Sequence, residues 1–151
     1  MAIYNKTFNH FLDSGDSGNR CVYINQASVT AALAVGDKVR PVLIPAGTKV
    51  DQVVIMHTAD MDTGTGTLTA SIGFEHADGS SGASATAVAA IGANGLAVAC
   101  SPASGIIYSL FPPVVVERDS YLTITCAVAA NAMAATSIVH ARVLGECLGV
   151  K

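Results

Sequence analysis

Apolar and polar residues alternate along most of this chain. From Leu68 to Phe74, the apolar residues Leu68, Ala70, Ile72 and Phe74 are separated by Thr69, Ser71 and Gly73. From Tyr121 to Val128 the apolar row is Leu122, Ile124, Cys126 and Val128, set against Thr123 and Thr125. From Ile138 to Leu144, Val139, Ala141 and Val143 form an inward row, with His140 and Arg142 outward. Alternation of this kind marks a strand with one face on a core and one in solvent, and Thr, Val and Ile suit a pleated surface. Strands are expected at 21–26, 38–44, 50–58, 67–74, 95–100, 106–111, 113–117, 121–128 and 137–144.

Turn chemistry punctuates these runs. Asp60 to Gly66 supplies Asp and Gly for a reversal, which predicts a hairpin between 50–58 and 67–74. Residues 129–135 join 121–128 to 137–144 as a looser hairpin. Pro112-Pro113 lacks the N–H groups that a central strand donates, so it marks a corner or an edge. Ser28 to Val35 is too short for an independent helix and reads as strand or irregular chain. Short strands with almost no helix imply an all-β sandwich or barrel. His76 to Ala90 is rich in Ala, Gly and Ser and reads as an exposed loop.

Two segments break the pattern. Val53, Val54, Ile55 and Met56 are consecutive apolar residues, so both faces of one strand need cover, from the other sheet or from a sister subunit. The first twenty residues show no strand alternation, yet Ile3, Tyr4, Phe8 and Phe11 stand there, ahead of an Asp-Ser-Gly-Asp-Ser-Gly run at 13–18. This divides the chain into an N-terminal arm, 1–20, and a single β-sandwich domain, 21–151. Fully burying one such side chain is worth about 1.5–3 kcal/mol. The four are therefore expected either to pack back as an added edge strand or to bind a partner, and they are the candidate partner-binding residues.

Composition favours association. The chain has 151 residues, one domain's length, and only 13% are charged, against about 25% in ordinary soluble domains. A surface with so few charges repels its copies weakly, which predicts a homo-oligomer. A net charge of −3, with eight scattered Lys and Arg, argues against nucleic acid. No apolar run is long enough for a membrane-spanning helix. The N-terminus lacks the layout of a signal peptide, so the protein is expected to be made in a cytoplasm, with Cys21, Cys100, Cys126 and Cys147 as free thiols.

No reaction is written in the residues. Asp60-Met-Asp62 resembles the start of a calcium loop, but Thr65 replaces its sixth-position Gly and Ser71 its twelfth-position carboxylate. Gly64-Thr-Gly66 precedes no helix and is a turn. His10, His57, His76 and His140 fall in separate elements without metal-ligand spacing. Asp78-Gly-Ser-Ser-Gly82 has the wrong spacing for a nucleophile elbow. Neither catalytic residues nor a metal or cofactor site are expected.

The order Ala31-Ala-Leu-Ala-Val-Gly-Asp-Lys-Val-Arg40, Leu43-Ile-Pro-Ala-Gly-Thr-Lys-Val50 and Ala70-Ser-Ile-Gly-Phe74, with the acidic turn Val116-Glu-Arg-Asp-Ser120, resembles small structural proteins of tailed bacteriophages. The likeness covers roughly residues 22 to 145. It implies a jelly-roll-like sandwich acting as a head decoration (capsid cement) protein, without enzymatic activity. Such a protein binds the outer surface of an assembled capsid, with the major capsid protein as its partner, and is typically a trimer. A phage tail, fibre or minor head module shares the same features. A carbohydrate-binding sandwich fits less well, since the chain has no Trp and four Tyr to stack on sugars.

Overall fold

In the computed structural model of the chain, residues 1–6, 10–13, 20–63, 67–80, 89–91, 105–133 and 135–148 are described. They form β1 (Ile3–Asn5), β2 (His10–Asp13), β3 (Arg20–Val29), β4 (Lys38–Ile44), β5 (Thr48–His57), β6 (Thr69–His76), β7 (Ala89–Ile91), β8 (Ile106–Val116), β9 (Ser120–Val128) and β10 (Ser137–Cys147). One sheet has the order β1-β4-β9-β6-β7 and the other β2-β3-β10-β5-β8. From β3 onward the chain changes sheet at every connection except β6 to β7. That winding, with four strands in each sheet apart from β1 and β2, is a jelly roll.

The alternating rows account for the core. Val39, Val42, Ile44, Ile72, Leu122 and Ile124 from the first sheet face Tyr23, Val53, Ile55, Val139, Ala141 and Val143 from the second, all nearly inaccessible to solvent. Leu33, Met61 and Leu68 in the connections close its ends.

Both expected hairpins are crossovers instead. β5 pairs with β10 and β8, whereas β6 pairs with β9 and β7, so 50–58 and 67–74 lie in different sheets. The same holds for β9 and β10. Hairpin loops commonly have about 2–5 residues, and both connections are longer. Their length lets them pass over the sandwich end, where the Thr63 amide donates to the Ala132 carbonyl at 2.9 Å. At the other end the three-residue turns 45–47 and 117–119 also change sheet. Gly47, at φ 77°, reverses the chain there and donates to the Val116 carbonyl.

Four other expectations are revised or left aside. Residues 106–111 and 113–117 form a single edge strand, β8, whose register jumps from Ser109, opposite Gln52, to Val114, opposite Val50. The Phe111-Pro112 peptide bond is cis and lies in the outward-looping part. The 76–90 loop ends in β7, which places Ile91 in the core. The strand expected at 95–100 lies outside the described residues. The first twenty residues contain two strands, too short for alternation to show: β1 adds parallel to β4, and β2 adds antiparallel to β3. Between them Lys6 bridges Ala27, so the arm runs from the edge of one sheet to the edge of the other.

Candidate functional site

Among the described residues no three His, Cys, Asp or Glu side chains gather where they could hold a metal ion. His57 is buried at the end of β5, with its Nδ1 3.0 Å from the Ala59 carbonyl. His76 Nδ1 lies 3.1 Å from Ser120 Oγ. His140 is half-buried on the outside of β10, and His10 lies on β2. The supposed calcium residue Asp62 is already occupied. Its Oδ2 accepts the Thr67 and Leu68 amides, both at 2.9 Å, and its Oδ1 accepts the Asn131 amide at 3.2 Å.

Cys21, Cys126 and Cys147 are free thiols. Burial, and then the Asp37 charge, push the Cys126 thiol up, so the nucleophilic thiolate is disfavoured. Burial likewise drives the Tyr23 hydroxyl well above its ordinary range, with the Cys147 contact adding to it. Reductant is expected to leave the melting temperature unchanged, since losing a disulfide would cost about 2–4 kcal/mol. A melt with and without reductant checks this, and a drop of many degrees would refute it.

What distinguishes this sandwich is the contrast between its two outer surfaces. On the first sheet, Glu75 receives Lys38 Nζ at 2.6 Å and Arg40 Nη2 at 2.7 Å, while Arg40 lies over the Tyr121 ring at 5.3 Å. Beneath this network Thr123 is buried although it faces outward. Burial alone would raise the Glu75 carboxyl, but the hydrogen bonds and charges of Lys38 and Arg40 outweigh it and hold the group below its ordinary range. A depressed carboxyl contributes stability that is present above its unfolded value and lost as pH falls through the folded one. Glu75→Gln is therefore expected to cost about 1 kcal/mol at neutral pH and nothing once the wild-type carboxyl is protonated. Denaturation of both proteins across pH 2 to 7 (about that range spans the carboxylate titration) checks the convergence.

The outer surface of the second sheet carries, in place of such a network, two looser ion pairs at one end, Arg20–Asp51 and Lys49–Glu146, both at 3.6 Å. Ile24, Arg142, Val54 and Ile107 lie in one row across β3, β10, β5 and β8. Val22, Leu144, Gln52 and Ser109 form the next, and Gln26, His140 and Met56 flank the first row on its other side. This is where the second face of Val53–Met56 points: Val53 and Ile55 enter the core, while Val54 and Met56 face outward, half-buried. Gly105 approaches them so closely that a Cβ there would stand 2.6 Å from Met56 Cγ. Along the β8 edge, Ile107 is 61% exposed and Phe111 98%.

The sequence-derived candidates are dispersed. Ile3 is 40% exposed on β1, and Tyr4 packs against the core beside it. Phe11 lies on β2 at the register position opposite Tyr23, and Phe8 falls outside the described residues. Among the apolar residues that do protrude, Ile107 and Phe111 follow an outward alternation Ile107-Ser109-Phe111 that leads into the Pro112-Pro113 edge signal.

The fold defines a jelly-roll β-sandwich whose two outer surfaces are its candidate functional features. No protein-family model matches the chain, and no curated protein matches it in sequence. Solved structures share its fold. A chain in the capsid of Ralstonia phage GP4 is 16% identical with a TM-score of 0.68, covering 99% of this chain and 100% of that one. A chain in the cyanophage Pam1 capsid asymmetric unit is 22% identical with a TM-score of 0.61, over 89% of this chain and 90% of that one. A third, from the acid-stable capsid of Helicobacter pylori bacteriophage KHP30, is 16% identical with a TM-score of 0.55, over 91% and 93%.

Proposed function

We propose that this chain is a non-enzymatic structural protein of a bacteriophage virion, which binds the outside of an assembled capsid and stabilises it. The observation that carries the reading is the end-to-end correspondence with a chain of the Ralstonia phage GP4 capsid, 99% of this chain against 100% of that one. The described histidines and cysteines support the same reading, being spent on packing and local hydrogen bonds. In this role the partner is the major capsid protein, and the decorating unit is a homo-oligomer, a trimer being favoured.

Binding only the assembled shell stabilises it by mass action. Purified protein should therefore sediment with assembled capsids lacking it and raise the temperature at which they come apart. Copy number in purified virions, measured by mass spectrometry, should approach that of the shell protein. Protein that stays in the supernatant, or a copy number far below the shell protein's, would overturn the exterior decoration role.

A further inference from the structure

The outer face of the second sheet and its β8 edge both expose apolar side chains. At the middle of the face Ile24, Val54 and Ile107 flank the Arg142 guanidinium, with Gln26, His140, Gln52 and Ser109 in the adjoining rows and the ion-paired Arg20, Lys49 and Glu146 at one end. The edge is a projecting apolar ridge, with Ile107, Phe111 and Val115 at 61%, 98% and 49% exposure. Directly after it comes Glu117.

The charges of these two regions share an unusual property. Arg20 pairs with Asp51, Arg40 with Glu75, Arg118 with Asp78, and Glu146 with Lys49. Of the chain's arginines and glutamates, Arg142 and Glu117 alone have no hydrogen bond or ion pair among the described residues. One lies in the apolar face and the other at the end of the apolar ridge. They are opposite in sign and borne on different elements, β10 and the turn that follows β8.

We propose that the face is covered in solution by a second copy of this chain, laid on by its edge. Phe111 of the partner subunit enters the apolar row, and Glu117 of the partner subunit meets Arg142. Packing face against face is disfavoured about a two-fold axis near Arg142, which brings Arg142 against the partner's Arg142. Edge on face is a heterologous contact, and it leaves one copy with a free face and the other with a free edge. Such contacts close into a ring when the rotation allows, and a ring of three is the simplest closed form that agrees with the trimer of the proposed function. The inference rests on the oligomeric part of that reading. It adds the surfaces and the direction of the contact.

Light scattering during size exclusion at micromolar to hundred-micromolar concentration (about the range in which weak oligomers separate from firm ones) tests it. The wild type should have the mass of at least two chains of 15.3 kDa, and of three for the closed ring. Phe111→Asp should weaken association at least about thirtyfold, as expected for loss of an aromatic anchor. R142E should weaken it too, and the double variant R142E/E117R should restore it. Mixing F111D, which keeps its face, with R142E, which keeps its edge, should yield dimers and no ring. The altered side chains are exposed, and unchanged melting of the isolated variants in circular dichroism confirms their folding. A wild type of 15.3 kDa would overturn both this inference and the trimer. An oligomer indifferent to F111D, or one that R142E/E117R fails to restore, would overturn the edge-on-face contact alone. Capsid sedimentation of the wild type reads the decoration role independently of all these variants.

Discussion

Removing residues 1–12 lowers the melting temperature of the free protein by about 10 °C, at about 2–4 °C per kcal/mol for a chain of this size. The expectation follows from what the arm does in the structure. β1 extends one sheet, with Ile3, Tyr4 and Asn5 opposite Lys38, Val39 and Arg40. β2 extends the other, from His10 opposite Ile24 to Asp13 opposite Cys21. Tyr4 is half-buried against the core and so contributes part of the roughly 1.5–3 kcal/mol that full burial of a large apolar side chain brings. The Ala2 amide donates to the Asp37 carboxylate, and a hydrogen bond to a charged group is worth about 1.5–3 kcal/mol. Hydrogen bonds from Ala2 and then Ala34 hold the Asp37 carboxyl below its ordinary range, so this contribution is present at neutral pH and lost in acid. Denaturation of the full-length and truncated proteins at pH 7 (about where all carboxylates are charged) measures the difference. A truncated chain that melts with the full-length protein would show that the arm's pairing adds nothing to the free subunit.

Asp62→Ala should be the most damaging single substitution outside the apolar core, at about 3 kcal/mol or more, because each buried amide left without an acceptor costs about 1–3 kcal/mol. Three backbone amides converge on this carboxylate, from Thr67, Leu68 and Asn131. Two belong to the crossover from β5 to β6 and the third to the crossover from β9 to β10. Losing the carboxylate therefore loosens both connections at one end of the sandwich. Asp62→Asn, with one acceptor oxygen in place of two, should fall between wild type and alanine. Equilibrium denaturation of the three proteins checks the order. Added calcium should leave the wild-type midpoint unchanged, as the carboxylate oxygens are already engaged by the backbone. A calcium-dependent rise in the midpoint would restore the calcium-loop reading.

Legibility in the sequence differed sharply between the strands and their partners. The rows Leu122-Ile124-Cys126 and Val139-Ala141-Val143 declared both their strand character and their buried faces, since period two is a local property of the chain. The Pro112-Pro113 pair likewise announced an edge, and β8 is one. Pairing was not local. Asp60 to Gly66 has hairpin chemistry, yet the chain there leaves one sheet for the other, and what decides it is how β5 and β6 find their neighbours over the whole fold. The arm was illegible for a related reason: strands of three and four residues carry no period, and their stability comes from the edges of β4 and β3.

For the surfaces the division is the same. The sequence by itself determined that this chain is all-β, poor in charge, and has two greasy faces on the strand around Val53–Met56. Only the tertiary structure decided that Glu75, distant in sequence from Lys38 and Arg40, binds both and covers one sheet with a polar network. It alone aligned Ile24, Arg142, Val54 and Ile107 into a single row on the other sheet. The physical reason is that a strand's own pattern states which side chains share a face, whereas the composition of a sheet's face is set by register between strands far apart along the chain.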